Sequence, residues 1–308
     1  MGRGSFAFIV QGIAEPRLGK CNDSRPFCIH IKLGEVFVKW SELQKCNTME
    51  ATMARKDVQG FELDKNGFVM LTKSNAKTAQ DKVDASAKEA DGKKSFKTRK
   101  TLSAIREDDL TKNDLYQLIR REFQKGSSGE FLDIVKKIND TNSTRLSEEE
   151  QDCFAKYINK NKEEILEKIE KGTLEIVKEL ADEGRKTSKN RYNFSFSSKF
   201  CTYISRYAFN ENDKFTPYDN VLQKILPYYA WAYCEGKTVE NFKDKENENG
   251  YVKYVGLIRS IVASAGKLYG AEGMLTLKEF DRLLWYKYKG LPGEDLIGIS
   301  NSLLIKEA

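Results

Sequence analysis

The sequence predicts an α+β protein in which a small β-rich N-terminal unit precedes a larger all-α domain. In residues 1–72, short runs of alternating apolar residues are separated by turn signals, a pattern typical of strands. After residue 101, apolar residues recur at helical spacing along most of the chain. Residues 73–101 carry few large apolar side chains. We therefore expect three segments: a β-rich unit (1–72), a basic flexible linker (73–101) and a helical domain (102–308).

Three stretches support the β-rich unit. Residues 5–10 form a compact apolar run, and residues 27–40 alternate on both sides of Leu33-Gly34-Glu35. Residues 61–71 repeat this pattern around Asn66-Gly67, a pair that provides the positive φ angles of a tight hairpin turn. Such strands fit an accessory module as well as a nucleic-acid-binding barrel.

The helical domain is predicted to contain about eight to nine helices. Helical spacing is clearest in residues 115–123, 130–138, 151–159, 163–180, 221–233 and 251–268. Gly172 is expected to weaken or split the fourth of these. Three hydroxyl–carboxylate pairs have the spacing of capping boxes: Thr111 with Asp114, Ser147 with Glu150, and Thr276 with Glu279.

Composition narrows the class of protein. The 308 residues are 40% hydrophobic and 32% charged, which favours a soluble protein with a real core. No apolar run approaches the ~18 residues of a membrane span, and no signal peptide is expected. The six cysteines are scattered, which predicts reduced thiols in a cytoplasmic protein. The net charge is +6, and residues 73–100 carry nine basic against four acidic residues, which suits a nucleic-acid partner.

His30 is the only histidine, and this excludes several kinds of site. It has no ligand-spaced partner for zinc, and no histidine is present in the C-terminal two-thirds to act in catalysis. Any acid, base or nucleophile there must be Lys, Asp, Glu, Tyr, Ser or Cys. We expect neither a metal nor a cofactor.

The sharpest chemical signal is a lysine and an aspartate in residues 194–226. Lys199 lies in an apolar, hydroxyl-rich run, and Asp219 follows Pro217-Tyr218 and opens the next helix. Because the chain doubles back between them, the two side chains can meet. Burial would favour the uncharged, nucleophilic amine, and a helix N-terminus would hold the aspartate ionised. A pocket around the lysine could come from Phe194, Phe196, Phe200, Tyr203 and Ile204.

This arrangement resembles the helix-hairpin-helix DNA glycosylase superfamily, nearest its 8-oxoguanine DNA glycosylase branch, over roughly residues 105–290. Lys199 and Asp219 are twenty positions apart, close to the separation of that family's catalytic pair. The C-terminal run with Asp281 and Trp285 is similar to a closing Asp-x-x-x-Trp helix of glycosylase-like proteins. The resemblance implies a mostly helical body, Lys199 as nucleophile and Schiff-base former, and Asp219 as the carboxylate that activates the lysine and stabilises the oxocarbenium ion.

The sequence departs from the family in the turn that would bind the DNA phosphate backbone. No glycine-rich turn precedes Lys199, so phosphate contacts would come from serine hydroxyls, a helix N-terminus or nearby basic residues. No four-cysteine cluster follows, which excludes an iron–sulfur version. The predicted DNA- and base-binding residues are Arg191, Ser195, Ser197, Ser198, Tyr218 and Trp285, with Lys186 and Lys189 as further phosphate contacts. Trp285 fits a core position slightly better than a pocket-lining one.

The expected function is that of a monomeric cytoplasmic DNA glycosylase, nucleoid-associated if bacterial, with AP-lyase activity. It would act on a damaged or modified base flipped out of double-stranded DNA. The alternative is a non-catalytic nucleic-acid-binding or phage-defence protein that keeps a degenerate glycosylase fold. A structural or interaction protein is a third possibility.

Overall fold

The computed structural model describes residues 30–33, 36–39, 60–93, 105–126, 129–142, 144–186, 193–234, 250–270 and 274–288. The chain divides into two compact units, Met1–Asn47 and Thr48–Ala308. In the first unit, strands β1 (His30–Leu33) and β2 (Val36–Lys39) pair antiparallel with Leu33 opposite Val36, which confirms the predicted hairpin. The predicted strand at residues 5–10 lies outside the described residues.

The second unit is built from helices. In its described part, a 3₁₀ turn (Leu110–Lys112) precedes the second of ten α-helices. The helices are α1 (Lys73–Lys93), α2 (Asp114–Gln124), α3 (Leu132–Asn142), α4 (Glu148–Lys160), α5 (Lys162–Lys171), α6 (Ile176–Arg185), α7 (Phe194–Ala208), α8 (Asn220–Tyr233), α9 (Gly250–Tyr269) and α10 (Leu277–Tyr288).

The predicted α+β class is wrong, because the described part of the chain is all-α with a single short hairpin. Residues 60–72 do not extend a sheet. They form a turn at Asn66-Gly67, where Gly67 has φ 80°, and one isolated bridge joins Leu63 to Val69. The alternating apolar side chains of this stretch enter the helical core, where Phe68 and Leu71 are buried. Alternation therefore marked buried positions, but not a β-rich unit.

The predicted flexible linker is also wrong over Lys73–Lys93, which is a 21-residue helix. Its buried face is made of small residues at helical spacing, Ala76, Ala79, Val83 and Ala87. Helix α1 packs against α10, and Lys73 Nζ lies 2.5 Å from the Glu279 carboxylate. A face of alanines can pack closely without large apolar side chains, so the low content of large residues did not signal a linker.

Local sequence signals set most helix boundaries. The capping boxes at Ser147 and Thr276 are confirmed, since in each the hydroxyl accepts a backbone N–H and the glutamate accepts the N–H of the capping residue. The predicted capping box of Thr111 with Asp114 is wrong, because Asn113 caps α2 by accepting a hydrogen bond from Tyr116 N–H at 2.9 Å. Gly172 has φ 78° and ends α5, because this left-handed conformation suits glycine at a helix C-terminus.

Helix α7 lies at the centre of the body. Helices α2, α3, α5 and α6 all pack against it, and thirteen of its fifteen residues are buried. Close packing reaches the surrounding layer, where a Cβ on Gly184 of α6 would lie 2.3 Å from the Phe154 ring of α4. Any polar group on α7 is therefore held in a rigid, largely water-free setting.

Candidate active site

Lys199 lies in the second turn of α7 and is 7% exposed. Its Nζ donates to the Ser195 hydroxyl one turn earlier, at 3.1 Å. Ser195 is partly exposed, so the Lys199 amine is bonded to a residue that reaches the surface at the N-terminal end of α7. A lysine is rarely this buried without a functional or pairing reason.

Asp219 is the N-cap of α8, as its sequence position predicts. Its Oδ1 accepts a hydrogen bond from Val221 N–H at 2.7 Å. This bond fixes the orientation of the carboxylate at the N-terminal end of α8. Asp219 is partly exposed, so the carboxylate remains accessible to a ligand.

The segment before Asp219 is hydrogen-bonded to α7 beside Lys199. Tyr218 N–H donates to the Ser198 hydroxyl at 2.8 Å, so the neighbour of the aspartate is bonded to the neighbour of the lysine. On the other side, Tyr254 of α9 donates to the Pro217 carbonyl at 3.0 Å. The chain therefore doubles back as predicted, and the lysine and aspartate segments meet.

A second carboxyl, that of Asp281 on α10, lies in the same region. Asp281 is 8% exposed, and burial raises its pKa to about 6. The neighbouring Asp219 carboxylate adds to this rise, while three cations oppose it: Arg206, Arg282 and Lys199. Both members of the predicted pair therefore act electrostatically on one buried acid. The sequence analysis named Asp281 only as part of the Asp-x-x-x-Trp helix and did not predict it as a site residue.

Replacing Asp281 by asparagine is expected to stabilise the protein at neutral pH. The folded protein raises the pKa of Asp281 from 3.8 to about 6, so it binds this proton more tightly than the unfolded chain. In the wild type, protonation of Asp281 stabilises the folded state in full below about pH 4, and this stabilisation is lost as the pH rises through about 6. In urea, the free energy of unfolding of Asp281→Asn should exceed that of the wild type by up to ~3 kcal/mol at pH 7.5 and should equal it near pH 4. A difference that does not depend on pH would contradict this.

Arg206 is a site residue that the sequence reasoning missed. It lies two turns after Lys199 on α7 and is 7% exposed, and its Nε and Nη2 have no hydrogen-bond partner among the described residues. It is the strongest cationic influence on Asp281. Leaving two buried guanidinium nitrogens without hydrogen-bond partners is costly. The available signal was its seven-residue spacing from Lys199, which places both on one helix face.

The other predicted binding residues have different positions. Ser197 and Ser198 are fully buried, so neither hydroxyl is at the surface where a DNA phosphate would lie; Ser198 instead binds Tyr218. Ser195, Tyr218 and Trp285 are partly exposed, and Trp285 lies one turn after Asp281 on α10. Lys186 is at the surface and pairs with Glu183. Arg191 and Lys189 lie outside the described residues.

The aromatic residues around Lys199 belong mainly to the core. Phe196 packs on Phe154 with ring centroids 4.6 Å apart, and Phe200 packs on Phe131 at 5.9 Å. Phe194 is the ring that approaches the site, since it contacts Tyr218 at 5.9 Å. This ring contact joins the start of α7 to the segment before Asp219.

Other chemistries find less support in the described part of the chain. No group of three or more metal-ligating side chains occurs there. Cys201 is fully buried, and burial raises its thiol pKa well above the usual value, which makes it a poor nucleophile. No described helix is long and apolar enough to cross a membrane.

In the part of the chain that the structure describes, the fold is a helical body in which Lys199 of α7 and Asp219 at the start of α8 both act electrostatically on the buried Asp281 of α10. Residues 93–214 match the family described as "HI_0787_N: N-terminal domain". The match includes Lys199 and Arg206 but ends before Asp219 and Asp281. No curated protein and no solved structure matches the chain.

Proposed function

We propose that the protein is a DNA glycosylase with AP-lyase activity that excises a damaged or modified base flipped out of double-stranded DNA. The observation that carries the proposal is the meeting of the Lys199 and Asp219 segments through the bond from Tyr218 N–H to the Ser198 hydroxyl. This geometry supports a nucleophilic amine beside a fixed carboxylate, in a protein without a histidine in its helical body.

The two side chains would have complementary roles. The Lys199 amine attacks C1′ of the sugar, and the bond from C1′ to the base breaks with its electron pair going to the base nitrogen. Asp219, whose Oδ1 accepts from Val221 N–H, stabilises the positive charge that develops on the sugar. Because Asp219 already caps a helix, its carboxylate is oriented before the substrate arrives, so little reorganisation is needed during the reaction.

DNA would approach over the partly exposed rim of the site. Ser195 at the start of α7, together with Tyr218 and Trp285, is available there. Aromatic faces stack on unpaired bases, and each such contact is typically worth ~1–3 kcal/mol. A cytoplasmic or nucleoid location and a monomeric state belong to the same proposal.

Borohydride trapping tests the proposal. Wild-type protein incubated with a duplex that contains an abasic site should give a covalent adduct after reduction, because the imine formed by a lysine becomes a stable amine. Lys199→Gln should give no adduct, whereas Lys171→Gln, which changes a surface lysine paired with Glu167, should give the wild-type yield. No adduct with the wild type, or an undiminished adduct with Lys199→Gln, would overturn the proposal.

The alternative of a non-catalytic DNA-binding protein makes a separate prediction in the same experiment. It predicts salt-dependent DNA binding that survives Lys199→Gln, with no adduct and no base release from any variant.

A further inference from the structure

We propose that Tyr254 of α9 is the positioning residue of the Asp219 carboxylate: its hydroxyl fixes the backbone that carries the carboxylate, and Tyr251, one turn earlier on α9, fixes the segment just before it. The inference rests on the proposed glycosylase function and deepens it by naming the residues that hold Asp219 in place before DNA binds. Tyr254 is fully buried, so it acts through Asp219 and not by contact with DNA.

The chain that leads into Asp219 has no regular structure of its own. Residues 215–219 form neither helix nor strand, and residues 215–217 are buried. Buried backbone N–H and C=O groups that no secondary structure pairs need other partners. The position of Asp219 therefore depends on groups that other parts of the fold supply.

Two tyrosine hydroxyls of α9 supply most of these partners. The Tyr251 hydroxyl donates to the Thr216 carbonyl at 2.7 Å and accepts from the Thr216 N–H at 3.2 Å. The Tyr254 hydroxyl donates to the Pro217 carbonyl at 3.0 Å and is also hydrogen-bonded to the backbone of Asp219. Each hydroxyl therefore forms two bonds to the segment, and those of Tyr254 lie nearer the carboxylate.

Helix α7 holds the same segment from the other side. Tyr218 N–H donates to the Ser198 hydroxyl at 2.8 Å, and Ser198 directly precedes Lys199. The ring of Tyr218 lies edge-on to the ring of Tyr254, with centroids 5.0 Å apart. With these contacts, side-chain hydroxyls reach the backbone at every residue from Thr216 to Asp219. The segment is thus attached to α9 next to Asp219 and to α7 next to Lys199.

Helix α9 is a firm support for these bonds. Tyr251 and Tyr254 are three positions apart, which places both side chains on one helix face. Tyr251 is 3% and Tyr254 0% exposed, and α9 packs against both α8 and α10. Side chains in a close-packed interior keep a single rotamer. Their hydroxyls therefore hold the segment more closely than a surface side chain would.

The proposed reaction depends on this placement. Charge stabilisation by Asp219 is effective only if the carboxylate is in position before the transition state forms. A shift of about 1 Å in a group at the reacting centre lowers a rate by ~100-fold. Without the Tyr254 hydroxyl, the Pro217 carbonyl and the Asp219 backbone both lose a bond, and the carboxylate is free to shift. The rate should then fall while affinity for DNA is kept.

The test is a double-mutant cycle that measures the rate of borohydride trapping on an abasic duplex. Tyr254→Phe removes one oxygen and should lower the rate by ~10–100-fold. In the Asp219→Asn background, the same change should alter the rate by less than about twofold, because no carboxylate remains to be positioned. Tyr251→Phe should give a smaller loss that also disappears in the Asp219→Asn background. Affinity for a duplex with a reduced abasic site should stay within a few-fold throughout.

Tyr229→Phe is the matched control. Tyr229 is also fully buried, and its hydroxyl donates to a backbone carbonyl, that of Val69, at 2.9 Å. Its removal costs a comparable hydrogen bond away from the Asp219 segment, so this variant should keep the wild-type trapping rate. Urea unfolding curves of each variant check that it is folded.

A general structural role for Tyr254 would give another result. Equal fold-losses from Tyr254→Phe with and without Asp219→Asn, or a wild-type rate for Tyr254→Phe, would overturn the inference while leaving the glycosylase proposal intact. If Tyr254→Phe does not fold, the cycle with Tyr251→Phe decides by the same criteria. A wild type that forms no Lys199-dependent adduct would overturn the glycosylase proposal, and the inference with it.

Discussion

Asp219→Asn is expected to lower the trapping and base-release rates by ~10²–10³-fold, the usual effect of removing one fixed electrostatic contact from a transition state. Asparagine caps a helix about as well as aspartate, so the bond to Val221 N–H and the start of α8 should be preserved. The loss should therefore appear in the rate, and affinity for a duplex carrying a reduced abasic site should stay within a few-fold.

A matched control for this variant is Asp109→Asn. Asp109 also caps a helical turn, by accepting from Thr111 N–H at 3.0 Å, and it lies in the 3₁₀ segment before α2. The control should keep wild-type rates. Equal rates for Asp219→Asn and the wild type would exclude Asp219 from the reaction.

Glu107→Ala is expected to destabilise the protein by ~3–5 kcal/mol, because it leaves buried cations without their counter-ion. Glu107 accepts from Arg282, which is 6% exposed, and lies 2.5 Å from Lys278 Nζ. Burial acts to raise the pKa of Glu107, but the attraction of Arg282 and Lys278 outweighs it and lowers the pKa below the usual value. The free energy of unfolding in urea at pH 7 measures the effect.

The sign of the pH dependence is a second check on Glu107. Because its folded-state pKa is lowered, its contribution is present above the ordinary value of 4.5 and is lost as the pH falls below it. The difference between wild type and Glu107→Ala should therefore shrink in acid. The exposed pair of Glu167 with Lys171 provides the control, since solvent screens such a pair and Glu167→Ala should leave the free energy of unfolding close to the wild-type value. Equal losses for the two variants would show that the Glu107 cluster adds no stability.

This cluster also matters for the site, because Arg282 follows Asp281 directly on α10. The ion pairs of Glu107 with Lys278 and Arg282 fix the helix on both sides of the acid. The cluster therefore restrains the helix that carries Asp281.

The sequence predicted the features that depend on neighbours along the chain. The α7–turn–α8 arrangement, the cap at Asp219 and the break at Gly172 all follow from local spacing and backbone chemistry. The predicted α+β class was wrong because the alternation of residues 61–71 reflects burial under helices. The predicted flexible linker was wrong because the alanines of α1 pack against a neighbouring helix as well as larger residues do. Tyr254 reaches the site only through the packing of α9 against α8, which no local pattern encodes, whereas Arg206 could have been found from its seven-residue spacing from Lys199 on α7.

The central claim is that the Lys199 amine forms the covalent bond to the sugar. The most direct measurement is peptide mass spectrometry of the borohydride-trapped, nuclease-treated complex of the wild-type protein with an abasic duplex. We predict that the reduced sugar fragment is attached to the peptide containing Lys199 and to no other lysine. A fragment on a different residue, or no modified peptide, would contradict the claim.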